Sequence, residues 1–273
     1  IIMNNLRFIL SVLLLVVSLS ACQVSGAVTG KDGSGVILER SGALSPYTDI
    51  EVSHAIKVSI VVGESFSYKL YADSLILNKV RIYTEESTLK INMGKSFISK
   101  RNYESPVVEL TVPSANAFYD LDVELSGASR LILPALNIND LDIQCSGASN
   151  FETKETIDVK NFDVECSGAS NVSATVKSND VDVDCSGASR VNISGETRTV
   201  DLECSGASKI FAENLKITGE GSCDSQGASK IVLGDIDGIV FEMEASGASS
   251  ISYLGNPSIR KVETSGASLI SKR

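Results

Sequence analysis

Four cysteines recur in the middle of the chain, each placed directly before a Ser-Gly-Ala-Ser tetrapeptide. They are Cys145, Cys166, Cys185 and Cys204, separated by 21, 19 and 19 residues. An oxidising compartment would permit disulfides between such residues, but parallel strands in register hold Cβ atoms about 4.8 Å apart, whereas a disulfide prefers about 3.8 Å. A linear stack of thiols also lacks the tetrahedral arrangement that zinc requires. The pattern therefore favours cysteine as a small buried apolar residue, and the same applies to Cys223.

Carboxylates recur with the same spacing. Counting back from the glycine of each tetrapeptide, position −3 is acidic in seven of eight copies and position −5 in six. Stacked like charges repel, so calcium bound between coils is one interpretation, although the Gly-Gly-x-Gly-x-Asp calcium repeat is missing. A second interpretation is that the stacked carboxylates are solvated and bind no ligand. A third interpretation, charge pairing across the corner, is favoured by the basic residues at position +3: Arg130, Arg190, Lys209 and Lys230.

Composition excludes several classes of function. The chain has 273 residues, a net charge of −10 and a single histidine, His54. The acidic excess argues against nucleic-acid binding, and one histidine makes histidine metal sites and histidine acid–base catalysis improbable. Because acids recur in every repeat, none is marked as a catalytic pair. The sequence predicts no catalytic residue, no cofactor and no metal site, and it places His54 on the surface or in a strand.

The N terminus is typical of a bacterial export signal over residues 1–21. Arg7 precedes an apolar run, Phe8 to Val17, that is too short to span a membrane. The sequence Leu19-Ser20-Ala21-Cys22 resembles the lipobox of bacterial lipoproteins, which implies acylation of Cys22 and a membrane anchor through its acyl chains. An ordinary secretory signal with a chance cysteine is the alternative. Residues 22–45, rich in Gly, Ser and Val, are predicted to form a flexible tether.

Internal repetition decides the predicted architecture. The eight glycines of the tetrapeptide copies are 19 to 21 residues apart, and apolar residues at positions −4 and −2 alternate with charged ones. Such alternation indicates a half-buried strand. One coil of about 20 residues cannot bury its apolar face alone, so the coils must stack. The sequence therefore predicts an all-β fold, a parallel β-helix (solenoid) with Ser-Gly-Ala-Ser corners, over residues 119–273.

Residues 46–118 are also β-rich but lack the tetrapeptide. We expect irregular N-terminal coils and a hairpin-like cap there, shielding the open end of the solenoid from edge pairing. At the opposite end, repeat arrays also need a cap. We expect the final coil to be covered by a short terminal strand or by another subunit, which would make a homo-oligomer through the C-terminal coil.

The lipobox, the segments Ile56–Gly63, Leu89–Asn92 and Val108–Pro113, and the Ser-Gly-Ala-Ser coils together resemble a family of bacterial proteins. The family is that of auto-transporter adhesins carrying the head GIN domain, and the resemblance covers roughly residues 46 to 250. It implies an exported, right-handed parallel β-helix, often lipid-anchored, from Bacteroidetes-like bacteria. The resemblance rests on strands and small-residue corners and carries no catalytic signature.

The predicted function is that of a non-enzymatic outer-membrane lipoprotein of the cell envelope, anchored through Cys22 and acting in adhesion to a surface glycan or protein. Two alternatives stay open. A polysaccharide-active β-helix enzyme, a lyase or hydrolase, would show a groove in which clustered acids break the ladder. An ice- or crystal-face binder would show a flat ladder of exposed, regularly spaced hydroxyls.

Overall fold

A computed structural model describes residues 33–94 and 103–273. This part of the chain is a β-solenoid of about eight turns with about 20 residues per coil, which confirms the predicted fold class. The predicted signal peptide, residues 1–21, and the predicted lipidation site, Cys22, lie outside the described residues.

The strands fall into two groups along the chain. Those up to the first Ser-Gly-Ala-Ser corner are β1 (Ile37–Ala43), β2 (Asp49–Val52), β3 (Lys57–Val62), β4 (Ser67–Asp73), β5 (Arg81–Glu85), β6 (Thr88–Asn92), β7 (Val107–Val112) and β8 (Asp120–Leu125). Those of the later coils are β9 (Arg130–Leu133), β10 (Asn137–Cys145), β11 (Asn150–Thr153), β12 (Ile157–Cys166), β13 (Asn171–Lys177), β14 (Asp180–Cys185), β15 (Arg190–Cys204), β16 (Lys209–Ser225), β17 (Lys230–Asp235), β18 (Val240–Ala245), β19 (Ser250–Leu254), β20 (Ser258–Thr264) and β21 (Leu269–Lys272). A 3-10 helix, Leu77–Lys79, separates β4 from β5.

Each regular coil has a wall before the Ser-Gly-Ala-Ser corner and a second wall after it. On the first wall β8, β10, β12 and β14 pair in parallel and in register. On the second wall β9, β11 and β13 do the same, and the long strands β15 and β16 continue both walls. Inward-facing residues alternate with outward-facing ones, so the apolar residues of all coils form one continuous core.

The N-terminal end of the solenoid is closed by antiparallel pairing. β1 pairs with β4, β4 pairs with β7, and β5 pairs with β6. Part of the predicted tether, residues 22–45, forms the strand β1 over Ile37–Ala43. Its backbone pairs with β4, and Leu38 packs against the core. Over the open end of the core lie Ile76, Leu77 and Val80, all buried.

Arg40 holds this cap in place. Its guanidinium donates hydrogen bonds to the carbonyl oxygens of Leu77, at 3.4 Å, and Val80, at 2.7 Å. The carbonyls at the end of a short helix otherwise lack partners, so these bonds fix the 3-10 helix over the core. In the part of the chain that the structure describes, no helix is long and apolar enough to cross a membrane.

The C-terminal end differs. Within the described residues, β20 pairs only with β18, and β21 pairs only with β19, so each leaves one edge open. Ile259, Val262 and Leu269 are 43%, 48% and 58% exposed. The expected terminal strand over the last coil is therefore not formed by these residues, because β21 is itself the second wall of that coil.

Candidate functional site

The Ser-Gly-Ala-Ser corners stack backbone on backbone. From the second corner onward, the alanine nitrogen of each corner donates to the glycine oxygen of the preceding corner, as Ala169 does to Gly147 at 2.7 Å. Gly168 has φ +71, and a Cβ added there would lie 2.6 Å from the Gly147 oxygen. Glycine is therefore required at the stacked corners by the closeness of the preceding coil as well as by its positive φ.

The first and last residues of the corners have different environments; both are serine except at Gln226, which replaces the first serine of one corner. The second serine is buried in seven of the eight corners, at Ser129, Ser149, Ser170, Ser189, Ser208, Ser229 and Ser249. Most of these hydroxyls bond to backbone carbonyls within the core, as Ser208 does to the Cys185 oxygen at 2.7 Å. The corner therefore exposes its glycine and alanine, while the first serine is half-buried in most corners, and the hydroxyls of Ser146 and Ser186 donate to carbonyl oxygens of the preceding coil. The fully exposed hydroxyl ladder that an ice- or crystal-face binder would show is not formed by the serines of these corners.

The four recurring cysteines stack in register and point inward, as the alternation predicted. Cys145, Cys166, Cys185 and Cys204 are successive Cα partners on the first wall, all buried and all free thiols. The Cys185 sulfur lies 3.1 Å from the Ser189 hydroxyl oxygen. Hydrogen bonding with Cys145, together with burial, raises the pKa of Cys166. These thiols pack as small core residues and are not presented to a ligand.

The first coil has a corner that the sequence analysis missed. Ser53-His54-Ala55 occupies the same place as Ser126-Gly127-Ala128, because the Ala128 nitrogen donates to the His54 oxygen at 2.7 Å. His54 adopts φ +74, like the corner glycines, so it lies in a corner and not in a strand. The Ser53 hydroxyl oxygen is 3.0 Å from its Nδ1 atom. A search for Ser-x-Ala preceded by an acidic residue three positions before x would have found this copy.

The main surface feature is an acidic face on the outer side of the first wall. Its central line, which we call the aspartate column, consists of residues paired in register on successive strands: Asp49, Asp122, Asp142, Asp163, Asp182 and Asp201. A second line runs beside it and includes Glu124, Glu165, Asp184 and Glu203. Neighbouring strands are about 4.8 Å apart, so the carboxylates follow one another at that interval.

The predicted charge pairing across the corner is wrong for the residues that the structure describes. Arg130 forms its ion pair with Glu152 on the second wall, and Arg190 lies 5.6 Å from the centre of the Phe211 ring. These side chains leave the corner on the wall that follows it, so they point away from the acids that precede it. The acidic face receives cations from Lys90 near the N-terminal cap and from Arg260 and Lys261 near the C-terminal end. Between these ends, Arg198 pairs with Asp180 on β14 at 3.0 Å, beside the aspartate column.

Proximity and partial burial perturb the aspartate column. The pKa of Asp163 is raised, first by desolvation and then by the charges of Asp182 and Asp142 on the adjacent coils. The pKa values of Asp122, Asp142 and Asp182 are raised for the same two reasons, in the same order. The column therefore holds negative charge that the fold does not neutralise, which makes it a surface that attracts cationic groups.

The acidic face is shallow. An open depression of about 540 Å³ is lined by Asp163, Asp182 and Asp201 and bordered by Arg260. Within residues 33–94 and 103–273, no group of three or more His, Cys, Asp or Glu side chains could hold a metal ion. The depression lies where the aspartate column is interrupted, because Ser222 stands between Asp201 and Glu242 and donates a hydrogen bond to Asp201 at 2.8 Å.

Solved structures with this fold are similar to the chain in shape but not in sequence. A putative adhesin from Parabacteroides distasonis has a TM-score of 0.75 at 18% identity, covering 88% of this chain and 98% of that one. A putative adhesin from Parabacteroides merdae has a TM-score of 0.76 at 17% identity, with coverages of 88% and 98%. A putative lipid binding protein from P. distasonis has a TM-score of 0.75 at 18% identity, with coverages of 89% and 98%.

No curated protein matches the chain. A family model described as "putative auto-transporter adhesin, head GIN domain" matches residues 46–257. That span begins just before β2 and ends just before β20, so it contains the first coil, the antiparallel cap apart from β1, and nearly all of the acidic face. The chain belongs to the family of auto-transporter adhesins with a head GIN domain.

Proposed function

We propose that this protein is a non-enzymatic adhesion protein of the bacterial cell envelope and that its acidic face binds a basic protein ligand. The observation that carries the proposal is the aspartate column, in which six carboxylates follow the coil register. A rigid row of like charges suits a partner that offers several cationic groups, since complementary fields raise association rates and favour that partner over others. Membership of an adhesin family supports the same function.

The chemistry of the face favours a protein over a neutral glycan. Sugar-binding surfaces commonly offer aromatic rings, and among the described residues of this chain the largely exposed aromatic side chains are Tyr83 and Tyr119. Neither belongs to the aspartate column. Basic side chains of a protein, in contrast, can form charge-assisted hydrogen bonds with the carboxylates of several coils at once.

Binding to an immobilised basic protein tests the proposal. The chain from Gln23 onward contains every strand that the structure describes, so it can be used without the predicted signal peptide. On surfaces coated with lysozyme, we expect saturable binding that weakens about ten-fold in the variant Asp142→Asn/Asp163→Asn/Asp182→Asn, at about 0.5 kcal/mol per pair. Dextran-coated surfaces serve as the neutral glycan.

The matched control removes the same number of charges elsewhere. The variant Glu64→Gln/Glu104→Gln/Glu155→Gln changes exposed acids outside the acidic face and should bind as tightly as the parent chain. An equal loss of affinity in both variants would show that binding depends only on the net charge of the chain, and it would overturn the proposed site. If the chain binds dextran and the aspartate substitutions leave that binding unchanged, the ligand would be a glycan and not a basic protein.

We also propose that the protein is an outer-membrane lipoprotein anchored through Cys22. The lipobox Leu19-Ser20-Ala21-Cys22 supports the anchor. Cells that express the full chain should incorporate a radioactive fatty acid into it, and the Cys22→Ser variant should incorporate none. The protein would then fractionate with the outer membrane. A labelled Cys22→Ser variant, or an unlabelled parent chain, would refute the anchor without affecting the proposed adhesive face.

A further inference from the structure

The chain enters the solenoid beside the cap at its N-terminal end. The Ser34 hydroxyl donates to Asp73 at 2.8 Å and lies 2.8 Å from the Ser74 hydroxyl, a few residues before the 3-10 helix Leu77–Lys79. Eleven residues separate Cys22 from Ser34 in the sequence, and an extended chain of that length spans about 40 Å at most. An anchor at Cys22 would therefore keep this end of the solenoid close to a membrane.

A depression of about 880 Å³ opens at the same end. It is lined by Lys79, Arg81, Lys90, Asn92 and His54, together with acidic residues and Tyr83. Arg81 lies at the start of β5, the strand at the N-terminal end of the first wall. Its guanidinium lies about 3.4 Å from the position that a Cβ on Gly94 would take.

Two of these cations have no acidic partner in the part of the chain that the structure describes. Lys90 is neutralised by Glu85 at 2.8 Å and by Glu51 at 3.6 Å, the two acids of the depression. Lys79 and Arg81 take part in no ion pair among the described residues. Their N–H groups are therefore available to an anion. A planar guanidinium can donate two parallel hydrogen bonds to phosphate oxygens, and a lysine ammonium group binds phosphate as a point charge.

The charge of this end differs from that of the repeats. The described residues 46–94 and 103–118 contain eight acidic and five basic side chains, a net charge of −3, whereas residues 119–273 contain 24 acidic and 13 basic ones, a net charge of −11. Asp122 lies three strands from β5, which is about 14 Å, so salt at physiological strength largely screens its repulsion of an anion bound at Arg81. The N-terminal end is the part of the molecule where an anionic surface meets least repulsion.

We infer that the N-terminal end of the solenoid, through Lys79 and Arg81, contacts the phosphate groups of an anionic membrane surface. The solenoid then stands on the membrane at its capped end and directs the acidic face and the C-terminal coil away from it. This inference rests on the proposed lipid anchor for the closeness of the membrane. The contact itself is a property of the folded chain and can be measured without the acyl groups.

Vesicle binding of the chain from Gln23 onward tests the inference. We expect sedimentation with phosphatidylcholine vesicles that contain one-third phosphatidylglycerol, and none with phosphatidylcholine alone. Each basic residue near such a surface contributes about five-fold to binding, so Lys79→Gln/Arg81→Gln should weaken it about 25-fold. The control Lys209→Gln/Lys230→Gln makes the same change in charge at the Ser-Gly-Ala-Ser corners and should leave vesicle binding within about two-fold of the parent chain.

The outcomes separate this inference from its rivals. Equal losses in both double variants, or binding to both kinds of vesicle, would overturn it. Competition by millimolar inorganic phosphate that abolishes vesicle binding would assign Lys79 and Arg81 to a free phosphate site instead of a membrane contact. If the chain does not bind vesicles but Cys22 is acylated in cells, the anchor stands and the contact falls. If the chain binds vesicles but Cys22 is not acylated, the reverse holds.

Discussion

The corner of the first coil and the corners of the repeats share one backbone conformation but not one residue. His54 has φ +74 and Gly168 has φ +71. Below Gly168 lies the backbone of the preceding corner, with the Gly147 oxygen 2.6 Å from the place of a Cβ. His54 is itself the corner on which Gly127 stacks, and it begins the ladder. Histidine tolerates the positive φ, so the comparison shows that close stacking is the stricter reason for glycine.

The two ends of the solenoid extend this contrast. At the N-terminal end, antiparallel strands and the buried residues Ile76, Leu77 and Val80 close the core. At the C-terminal end, the last coil repeats the pattern of its predecessors and exposes Val262 and Leu269. Each coil buries the apolar residues of the neighbouring coil, but a terminal coil has a neighbour on one side only. Burial of its other side therefore requires residues that depart from the repeat.

The largest expected effect is that of a methyl group at a stacked corner. Gly168→Ala should lower the free energy of unfolding by about 3 kcal/mol or more, because positive φ strains alanine and the added Cβ meets the Gly147 oxygen. Gly238 has φ +73 with nothing within 4 Å of an added Cβ, so Gly238→Ala should cost only about 1–2 kcal/mol. Urea unfolding followed by circular dichroism measures both. Equal losses would show that φ alone makes corner glycine necessary.

The second prediction compares one substitution at the two ends. Leu77 is 7% exposed in the cap and Leu269 is 58% exposed in the last coil. Leu77→Ala should therefore cost about 2–3 kcal/mol, and Leu269→Ala less than about 0.5 kcal/mol. Hydrogen exchange should show faster opening of β4 and β5 in the first variant. A large loss from Leu269→Ala at low protein concentration would mean that the last coil is covered after all.

The third prediction compares an aspartate of each region across pH. Burial acts to raise the pKa of Asp73, but hydrogen bonds donated by Leu75 and Ser34 outweigh it and lower the pKa overall. Its stabilising effect is present above the unfolded pKa of about 3.9 and is lost as pH falls through the lower folded pKa. Asp73→Asn should therefore destabilise the fold at pH 7, by about 1 kcal/mol.

Asp163 should behave in the opposite way. Because its folded pKa is raised by desolvation and neighbouring charge, its ionisation destabilises the fold as pH rises through about 3.9 and then through the folded pKa. Asp163→Asn should stabilise the protein at pH 7 by about 0.5 kcal/mol, less so in high salt, and should have no effect near pH 3. The same sign for both aspartates at pH 7 would contradict the contrast between the two regions.

The sequence predicted the repeats better than the ends, for physical reasons. Period-two alternation identifies the inward Cys166 and the outward Asp163, because a strand has only two faces. It does not identify the buried Ser170, which lies in a corner where that alternation fails. The cap was expected within residues 46–118, but its strand β1 was not, because the pairing of β1 with β4 is a long-range choice that local pattern does not encode. Ser53-His54-Ala55 escaped because glycine was taken as the mark of a corner.

The smallest expected effect belongs to the first corner itself. His54→Gly relieves a non-glycine residue from positive φ but gives the unfolded chain more freedom, and these two effects nearly cancel. The free energy of unfolding should change by less than about 0.5 kcal/mol, far less than for Gly168→Ala. His54→Ala, which keeps a Cβ, should change it by a similarly small amount, since the structure already accommodates a Cβ at this positive φ. A loss of about 3 kcal/mol in His54→Ala would show that the imidazole and its contact with Ser53 stabilise the first coil. In that case the first corner would tolerate a non-glycine residue because the imidazole of His54 contacts Ser53.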